Sequence, residues 1–297
     1  MNISLVATFT AALAIGGVTA IAPGAGASAT QFLTVAGGQI AYDDSGGSGP
    51  AIICVPGLGD VRGQYRFLAP LLVKAGFRVV TMDLRGMGES SVDWPDYTPG
   101  ATGDDIVAMV KHLGVARAWI VGNSFAGASA IWAAAVAPQQ IAGIVLIDPF
   151  VRDTPMGIGP RMALALGMHR PWGPTFWIMY YKSLYKTQPP ADLEAYAAAL
   201  KANLKEPGRF ETLQAMVDAP KAPCEAHIKD VRVPALIIMG AADPDFGDPK
   251  AEADLVTSRL HGSEFMVAGA GHYPHAEMPQ AVAGEVVSFI RSSGNGN

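Results

Sequence analysis

The sequence predicts an α/β protein with a mostly parallel, doubly wound sheet and an inserted helical cap. Two observations lead to this fold class. Short apolar runs of strand length alternate with segments whose apolar residues recur at helical spacing, as expected of a parallel sheet covered by helices on both faces. The alternation breaks between Phe150 and about Ala226, over a stretch too long for an ordinary connection. We therefore expect an insertion there.

The composition is that of a single well-packed globular core. Of the 297 residues, 50% are apolar and 16% are charged, which argues against disorder. The formal net charge is -5, and no run of Lys or Arg occurs. Because nucleic acids and anionic membranes are bound by basic patches, neither is an expected partner.

The first 29 residues are predicted to be a signal peptide. An apolar run spans residues 5–21, and the small residues Ala27, Ser28 and Ala29 follow it as a signal-peptidase site would. We expect cleavage after Ala29 and export to the periplasm or the medium, with no stable membrane span in the mature protein. The usual basic residues before the apolar run are absent, so an uncleaved anchor or a misassigned start is the alternative.

The core strands follow in order along the chain. Residues 31–35 and 39–43 are expected to form an antiparallel hairpin around Gly37 and Gly38. After this hairpin, further short apolar runs have the length and composition of buried parallel strands. These runs are residues 51–55, 77–82, 118–121, 141–147, 235–239 and 264–267.

Predicted helices separate most of these strands. Residues 102–113 and 284–290 carry apolar residues three to four positions apart. Residues 124–137 are apolar nearly all round, as in a helix packed against a sheet. The insertion is rich in Met and aromatic residues in its first half and reads as several helices. The predicted segments are the core, residues 30–149 and 226–297, and the helical cap, residues 150–225.

Ser124 is the candidate nucleophile. It directly follows a predicted strand and opens a predicted helix, with the small residues Gly122 and Ala126 two positions to either side. A sharp strand-to-helix turn of this kind exposes a serine hydroxyl at the sheet edge, provided that its neighbours are small. The alternative is a serine that only caps the N-terminus of a helix.

A serine hydroxyl needs a base, and His272 is the best placed of the six histidines. It follows the last predicted strand and precedes the last predicted helix, so we expect it at the same sheet edge as Ser124. His275 competes, but it follows Pro274 at the start of the last helix and is expected to support the loop. The others are expected to be solvated or to cap helices: His112, His169, His227 and His261.

The base in turn needs a carboxylate that orients it. Asp243 fits best, because it follows the predicted strand 235–239 through three small residues and gives the chain order Ser, Asp, His. Asp245 is close enough in sequence to take the same role, and Asp148 at the end of the preceding strand offers another position. All three carboxylates are candidates, with Asp243 favoured.

The charge that develops on a carbonyl oxygen during acyl transfer needs backbone N–H donors. Phe125, next to the candidate nucleophile, offers one. Leu58, in the loop after strand 51–55, offers a second, and Gly57 and Gly59 allow a tight turn there. The alternative is an ordinary glycine-rich connection. The sequence contains no phosphate-loop or metal-binding motif, and we expect neither a metal nor a cofactor.

Four segments together resemble the capped α/β-hydrolase superfamily, in its Ser-Asp-His esterase-like branch. The segments are C-V-P-G-L-G-D, M-D-L-R-G-M-G-E-S, V-G-N-S-F-A-G, and the pair G-A-A-D-P-D-F with G-A-G-H-Y-P-H. The resemblance implies the α/β-hydrolase fold. It also implies a nucleophile, an acid, a base and two oxyanion donors, which are Ser124, Asp243, His272, Leu58 and Phe125.

The resemblance implies an activity as well. A serine at the turn excludes the dehalogenase and epoxide-hydrolase branches, which use an Asp nucleophile. We expect hydrolysis of small-molecule carboxylic esters with an apolar or aromatic group through an acyl-enzyme. The alternatives are hydrolysis of a carbon-carbon bond in a diketone-like acid, and a slow-turnover ligand-binding or receptor role. One departure is Pro56, which stands where the family usually has a His that braces the oxyanion loop.

The choice of substrate is expected to depend on the cap. Ligand pockets are mostly apolar with few polar anchors, and the first half of the cap has that composition. The alternative is that these side chains only pack the cap onto the core. The residues predicted to line a pocket over the nucleophile are Gly59, Trp172, Phe176, Trp177 and Tyr180.

Overall fold

The computed structural model describes residues 29–153 and 158–294. The predicted signal peptide therefore lies outside the described residues, apart from Ala29. Within these ranges the chain folds around an eight-stranded sheet. The strands are β1 (Gln31–Val35), β2 (Gly38–Asp44), β3 (Ala51–Val55), β4 (Arg78–Met82), β5 (Ala118–Asn123), β6 (Ile141–Ile147), β7 (Ala235–Gly240) and β8 (Ser263–Val267).

The strand order confirms the predicted fold class. Across the sheet it is β1-β2-β4-β3-β5-β6-β7-β8. The strands β1 and β2 pair antiparallel with each other, β2 pairs antiparallel with β4, and all other pairs are parallel. The strand β4 pairs with one side of β3, and the next strand in the chain, β5, pairs with the other side of β3. Ligands of such sheets bind at the carboxyl ends of the strands beside this reversal.

Helices cover both faces of the sheet, and those between β6 and β7 form the cap. No helix within the described ranges is long and apolar enough to cross a bilayer. The helices are α1 (Ala69–Lys74), α2 (Pro99–His112), α3 (Phe125–Val136), α4 (Ile158–Gly167), α5 (Gly173–Ser183), α6 (Leu193–Lys205), α7 (Arg209–Asp218), α8 (Ala222–Ala226), α9 (Pro249–Leu260), α10 (Pro274–Glu277) and α11 (Pro279–Gly294).

Side chains of the buried strands point alternately to the two faces. In β3, Ile53 and Val55 pack with residues of α2 and α3, whereas Ile52 and Cys54 pack with residues of α1 and α11. The strands β3, β5 and β7 are buried along their whole length. Burial on both faces fixes the strand register, since a slip by one residue would exchange the faces. The loops at the carboxyl ends are thereby held in place.

The cap is fastened to the loop that follows β8. The backbone N–H of His272 donates to the carbonyl of Leu184 at 3.0 Å. The Glu277 carboxylate accepts from the N–H of Gly271 at 2.7 Å and from the consecutive N–H groups of residues 186–188. The segment that carries His272 is thus held by the cap as well as by the sheet.

Candidate active site

Ser124 occupies a sharp turn between β5 and α3. Its backbone has φ 54° and ψ -118°, a conformation that costs free energy in a residue with a side chain. The turn requires small neighbours, because a Cβ on Gly122 would be 2.5 Å from the carbonyl oxygen of Ala126. The Ser124 N–H donates to the carbonyl of Ile147 at 2.9 Å. The neighbouring strand β6 therefore helps to hold the strained turn.

His272 is oriented by Asp243. Its Nδ1 lies 2.6 Å from Asp243 Oδ2, and the two side chains are 2% and 0% exposed. Burial acts to lower the pKa of His272, but the charge of Asp243 outweighs it and raises this pKa above its usual value. Burial acts to raise the pKa of Asp243, but His272 outweighs it and holds that pKa below its usual value. The pair combines an ionised carboxylate with an imidazole that readily accepts a proton.

The two competing carboxylates occupy other positions. Asp245 Oδ2 lies 3.9 Å from His272 Nδ1 and accepts a hydrogen bond from the Tyr180 hydroxyl at 2.6 Å. The backbone N–H of Asp245 donates to Asp243 Oδ1 at 2.9 Å. Asp148 is fully buried beside this pair. Among the three, Asp243 makes the short contact to the imidazole.

A buried amide network links the loops that follow three strands. Gln64 accepts from the N–H of Gly57 at 2.9 Å and donates to Asn123 Oδ1 at 2.7 Å. The side-chain amide of Asn123 donates to the carbonyls of Ile147 at 3.0 Å and His272 at 3.2 Å. The loop after β3, the turn after β5 and the loop after β8 are therefore held in fixed relative positions.

The predicted oxyanion donors lie next to Ser124. Phe125 is the first residue of α3, where a backbone N–H has no partner inside the helix. The loop of Leu58 packs onto the turn, since a Cβ on Gly57 would be 3.1 Å from the Cβ of Ser124. Within residues 29–153 and 158–294, the N–H groups of Leu58 and Phe125 donate no hydrogen bond. Both are free to bind a substrate oxygen.

His275 lies in the short helix α10 and not in the last helix, and it contacts Gln64 in the segment that follows β3. Its Nε2 is 2.9 Å from Gln64 Nε2, and its ring stacks on Tyr65 with centroids 5.1 Å apart. Burial lowers the pKa of His275 to about 3, so the ring is neutral and accepts from Gln64. Because Gln64 also holds the N–H of Gly57, it braces the Leu58 loop, where Pro56 offers no polar side chain.

Cap helix α5 brings two of the predicted pocket residues to the site. Trp177 is 5% exposed and covers the Leu58 loop, since a Cβ on Gly59 would be 2.2 Å from its Nε1. Tyr180 lies beside it, with ring centroids 5.3 Å apart, and bonds to Asp245. Both side chains connect the cap to the loops that surround Ser124.

The other two cap residues lie elsewhere. Phe176 is half-buried and packs against α4, where a Cβ on Gly167 would be 2.5 Å from its ring. The structure does not bring Trp172 into a pocket, because its ring is 56% exposed. Its Nε1 donates to the carbonyl of Leu166 at 3.0 Å. The indole N–H of Trp172 is thus hydrogen-bonded at the surface, and the prediction that this residue lines the pocket is not met.

Three residues of the site were not predicted from the sequence: Gln64, Asn123 and Phe150. Phe150 donates its N–H to the Ser124 carbonyl at 3.1 Å, and its ring centroid lies 5.9 Å from that of His272. The position of Asn123 directly before Ser124 was the available signal for its role. Gln64 and Phe150 have no such signal, because folding of separate loops brings them to the site.

Comparison with known proteins identifies the family. The model of the alpha/beta hydrolase family matches residues 52–285. This chain belongs to the α/β hydrolase family. The match runs from β3 into α11, so the loops that carry Leu58, Ser124, Asp243 and His272 all lie within the α/β hydrolase domain.

Individual relatives are distant. The polyketide synthase ThaQ of Burkholderia thailandensis is 27% identical over 296 residues, which cover 89% of this chain and 13% of the synthase. Bifunctional epoxide hydrolase 2 of Sus scrofa is 30% identical over 112 residues, or 37% of this chain and 20% of that protein. This chain therefore spans a small part of the length of both relatives. A solved membrane phospholipase A is 25% identical with a TM-score of 0.73, covering 91% of this chain and 87% of its own.

Proposed function

We propose that this α/β hydrolase is a serine hydrolase that cleaves carboxylic esters carrying an apolar or aromatic group through an acyl-enzyme. The observation that carries the proposal is the 2.6 Å contact between His272 Nδ1 and Asp243 Oδ2, at the sheet edge where Ser124 sits. A carboxylate on Nδ1 fixes the tautomer in which Nε2 is unprotonated and can take the proton of a serine hydroxyl.

The chemistry then follows in two stages. Ser124 Oγ forms a bond to the ester carbonyl carbon while His272 takes the hydroxyl proton, and the N–H groups of Leu58 and Phe125 stabilise the oxyanion. The bond to the alcohol oxygen breaks, and His272 returns the proton to the leaving alcohol. Water, deprotonated by His272, then attacks the acyl carbon. The bond between that carbon and Ser124 Oγ breaks, and His272 returns the proton to Oγ, which releases the acid and restores Ser124.

Two of the relatives bear on the ester substrate. The epoxide-hydrolase branch uses an Asp nucleophile, and this chain has Ser124 at that position, which favours acyl transfer over epoxide opening. The neighbour named a membrane phospholipase A adds support for an ester substrate. The chain covers only 13% of the synthase and 20% of the epoxide hydrolase. The other activities of these relatives are therefore not part of the proposal.

The apolar or aromatic preference rests on the rings around the site. Phe150 stacks on Phe246 with centroids 4.7 Å apart, and Phe150 also lies beside His272. Trp177 and Tyr180 face the same loops from the cap. Aromatic surface of this kind binds apolar groups through burial and ring contacts.

The test combines activity with covalent labelling of the whole chain. The purified protein is assayed on p-nitrophenyl esters of increasing acyl length and on a ring-fission diketone, with Ser124→Ala as the control. A fluorophosphonate probe followed by mass spectrometry of the labelled peptide locates the nucleophile. We expect ester turnover and labelling at Ser124, with both lost in Ser124→Ala.

Each other outcome points to a different function. Turnover of the diketone but of no ester indicates a carbon-carbon bond hydrolase. Labelling at Ser124 without turnover of any substrate indicates a ligand-binding homologue. Turnover that survives in Ser124→Ala refutes the proposed nucleophile.

We also propose that the protein is exported after cleavage behind Ala29. The support is the apolar run of residues 5–21 followed by Ala27, Ser28 and Ala29. N-terminal sequencing of protein recovered from the periplasm or medium should begin at Thr30. Full-length protein retained in the membrane fraction would indicate an uncleaved anchor.

A further inference from the structure

Asp148 is clamped in place beside the Asp243–His272 pair. It follows β6 directly and is 0% exposed. Its backbone N–H donates to the carbonyl of Ile238 at 2.8 Å, and its Oδ1 accepts from the N–H of Gly240 at 2.8 Å. Its φ of 44° is rare for a residue with a side chain. The backbone and the side chain of Asp148 are thus both hydrogen-bonded to β7, the strand that precedes Asp243.

The second oxygen of Asp148 has no donor. Oδ2 is buried, and within the described ranges no N–H or O–H group reaches it. One carboxyl oxygen of Asp148, one of Asp243 and a ring nitrogen of His272 all lie within 4.8 Å of one another. The polar group that Asp148 faces is therefore another acceptor, the carboxylate of Asp243.

An ionised Asp148 is unfavourable in this buried position beside the Asp243 carboxylate. Two carboxylates that share a buried site cannot both be ionised without a large cost, and a buried acceptor without a donor adds to it. Asp243 is the one that contacts His272 and stays ionised. Burial first, and then the charges of Asp243 and Asp245, raise the pKa of Asp148 well above its usual value. A protonated Asp148 supplies the missing donor itself.

We propose that Asp148 is a neutral carboxylic acid that donates its proton in a hydrogen bond to the Asp243 carboxylate, and thereby weakens the pull of Asp243 on the proton of His272. The inference rests on the proposed function, in which His272 acts as base. Asp148 is then a positioning residue that acts through Asp243, and not an alternative acid of the triad.

The sign of the effect follows from the hydrogen bond. A donor on Asp243 stabilises its ionised form and so lowers its basicity. A less basic Asp243 holds the His272 imidazolium less tightly, which keeps more of the imidazole neutral at a given pH. Among the described residues, the other charged or titratable groups that face the cluster are Asp245 on the same loop, Tyr180 on α5, Lys186 after α5, and Tyr273 and His275 beside His272. Their contributions are common to the Asp148 variants compared below.

The protonation of Asp148 can be tested without any activity measurement. Infrared spectra of the full chain with 13C-labelled aspartate, recorded at about pH 8 where ordinary carboxyls are ionised, report the C=O stretch of a protonated acid. We expect this band in the wild type and in Ser124→Ala, and its loss in Asp148→Asn. Asp60→Asn, at another buried aspartate with a raised pKa, is the control and should leave the band in place. Absence of the band in the wild type overturns the proposal.

The effect on His272 is tested by the pH profile of kcat/KM on a p-nitrophenyl ester. An amide at this position keeps both a donor for Asp243 and an acceptor for Gly240, so Asp148→Asn should keep the acidic limb in place, with kcat/KM within about threefold of the wild type. Asp148→Ala removes the donor, so the limb should move up by about one pH unit and kcat/KM at neutral pH should fall about tenfold.

Other outcomes overturn the inference in distinct ways. If Asp148 were ionised, both variants would remove a negative charge and move the limb to lower pH. If Asp148 were the acid of the triad, Asp148→Asn would lose several orders of magnitude in kcat. If the wild type hydrolyses no ester, the proposed function fails, while the infrared band and an NMR titration of His272 in the same variants still decide the state of Asp148.

Discussion

The side-chain amide of Asn123 donates a hydrogen bond to the backbone carbonyl of His272, with an N to O distance of 3.2 Å. The residue directly before Ser124 therefore holds the loop that carries the imidazole. The same amide donates to Ile147 at 3.0 Å, and its oxygen accepts from Gln64 at 2.7 Å. One buried side chain thus sets the position of Ser124 relative to the His272 loop.

Replacing Asn123 by Ala should lower kcat more than it changes KM. The substitution removes one hydrogen bond each from the Ile147 carbonyl, the His272 carbonyl and the Gln64 amide. The His272 loop can then shift, and misplacement by about 1 Å costs about 100-fold in rate. We expect kcat on a p-nitrophenyl ester to fall about 10- to 100-fold.

Asn203→Ala is the matched control for this variant. Asn203 also makes paired hydrogen bonds, to the N–H and carbonyl of Gly88 at 3.0 and 2.9 Å, but away from the nucleophile. It should lower thermal stability without a comparable fall in kcat. Equal losses of kcat in the two variants would show that Asn123 acts through general stability alone.

Asp243→Asn should lose about 10,000-fold in kcat, because an amide at this position favours the wrong tautomer of His272. Asp245→Asn should lose less than about tenfold, since its 3.9 Å separation from His272 is too long for a hydrogen bond. Steady-state kinetics on one ester, with circular dichroism to confirm folding, measure both. Mild and equal losses in the two variants would refute the assignment of Asp243.

The acidic limb of kcat/KM should lie above the usual pKa of histidine. His272 acts as a base only when neutral, and Asp243 raises its pKa despite burial, so activity is lost as the pH falls through that raised value. The charge of Asp245 also raises it. Asp245→Asn should therefore move the limb to lower pH. A limb that stays in place, or one that moves to higher pH, contradicts this electrostatic account.

Sequence patterns were sufficient to predict the sheet. Every predicted strand is present, with its ends shifted by at most two residues, because strands buried on both faces produce short apolar runs bounded by turn residues. The turn at Ser124 was predictable for a similar reason. Its strained backbone tolerates only small neighbours, and the small residues Gly122 and Ala126 are visible in the sequence.

The cap and the supporting residues were less predictable. Trp172 and Trp177 lie in the same apolar and aromatic stretch of the sequence. In the structure, however, Trp172 is 56% exposed and Trp177 is 5% exposed. Which face of a cap helix meets the core depends on tertiary packing. Gln64 likewise reaches Gly57 because the loop after β3 folds back on itself. Asp148 was visible as a carboxylate at a strand end, but its missing donor is a property of the packed site.

Asp60→Asn should stabilise the protein at alkaline pH. Asp60 is fully buried beside the Tyr196 hydroxyl, which donates to it at 2.6 Å, and burial raises its pKa to about 6 from 3.8 in the unfolded chain. Stability is therefore unaffected below about pH 4 and falls as the pH rises through about 6, since folding then requires a buried charge. At about pH 8 the amide avoids this cost, which is worth about 1–3 kcal/mol.

Thermal melts from about pH 4 to pH 8 measure this difference. The gap between Asp60→Asn and the wild type should open as the pH rises and should close at the acidic end. Asp218→Asn, on the exposed end of α7, is the control and should show no such trend. A gap that is constant with pH would mean that Asp60 does not change its protonation in this range.

Trp177→Phe should change the acyl-chain preference, because Trp177 covers the oxyanion loop beside Gly59. Its Nε1 is buried without an acceptor in the described ranges, so phenylalanine removes an unsatisfied N–H and offsets part of the lost packing. We expect KM for long or aromatic p-nitrophenyl esters to change about 3- to 10-fold while kcat changes less. Trp172→Phe is the matched control, because its exposed ring should leave the whole profile unchanged. If Trp172→Phe alters the profile and Trp177→Phe does not, the acyl pocket does not lie under α5.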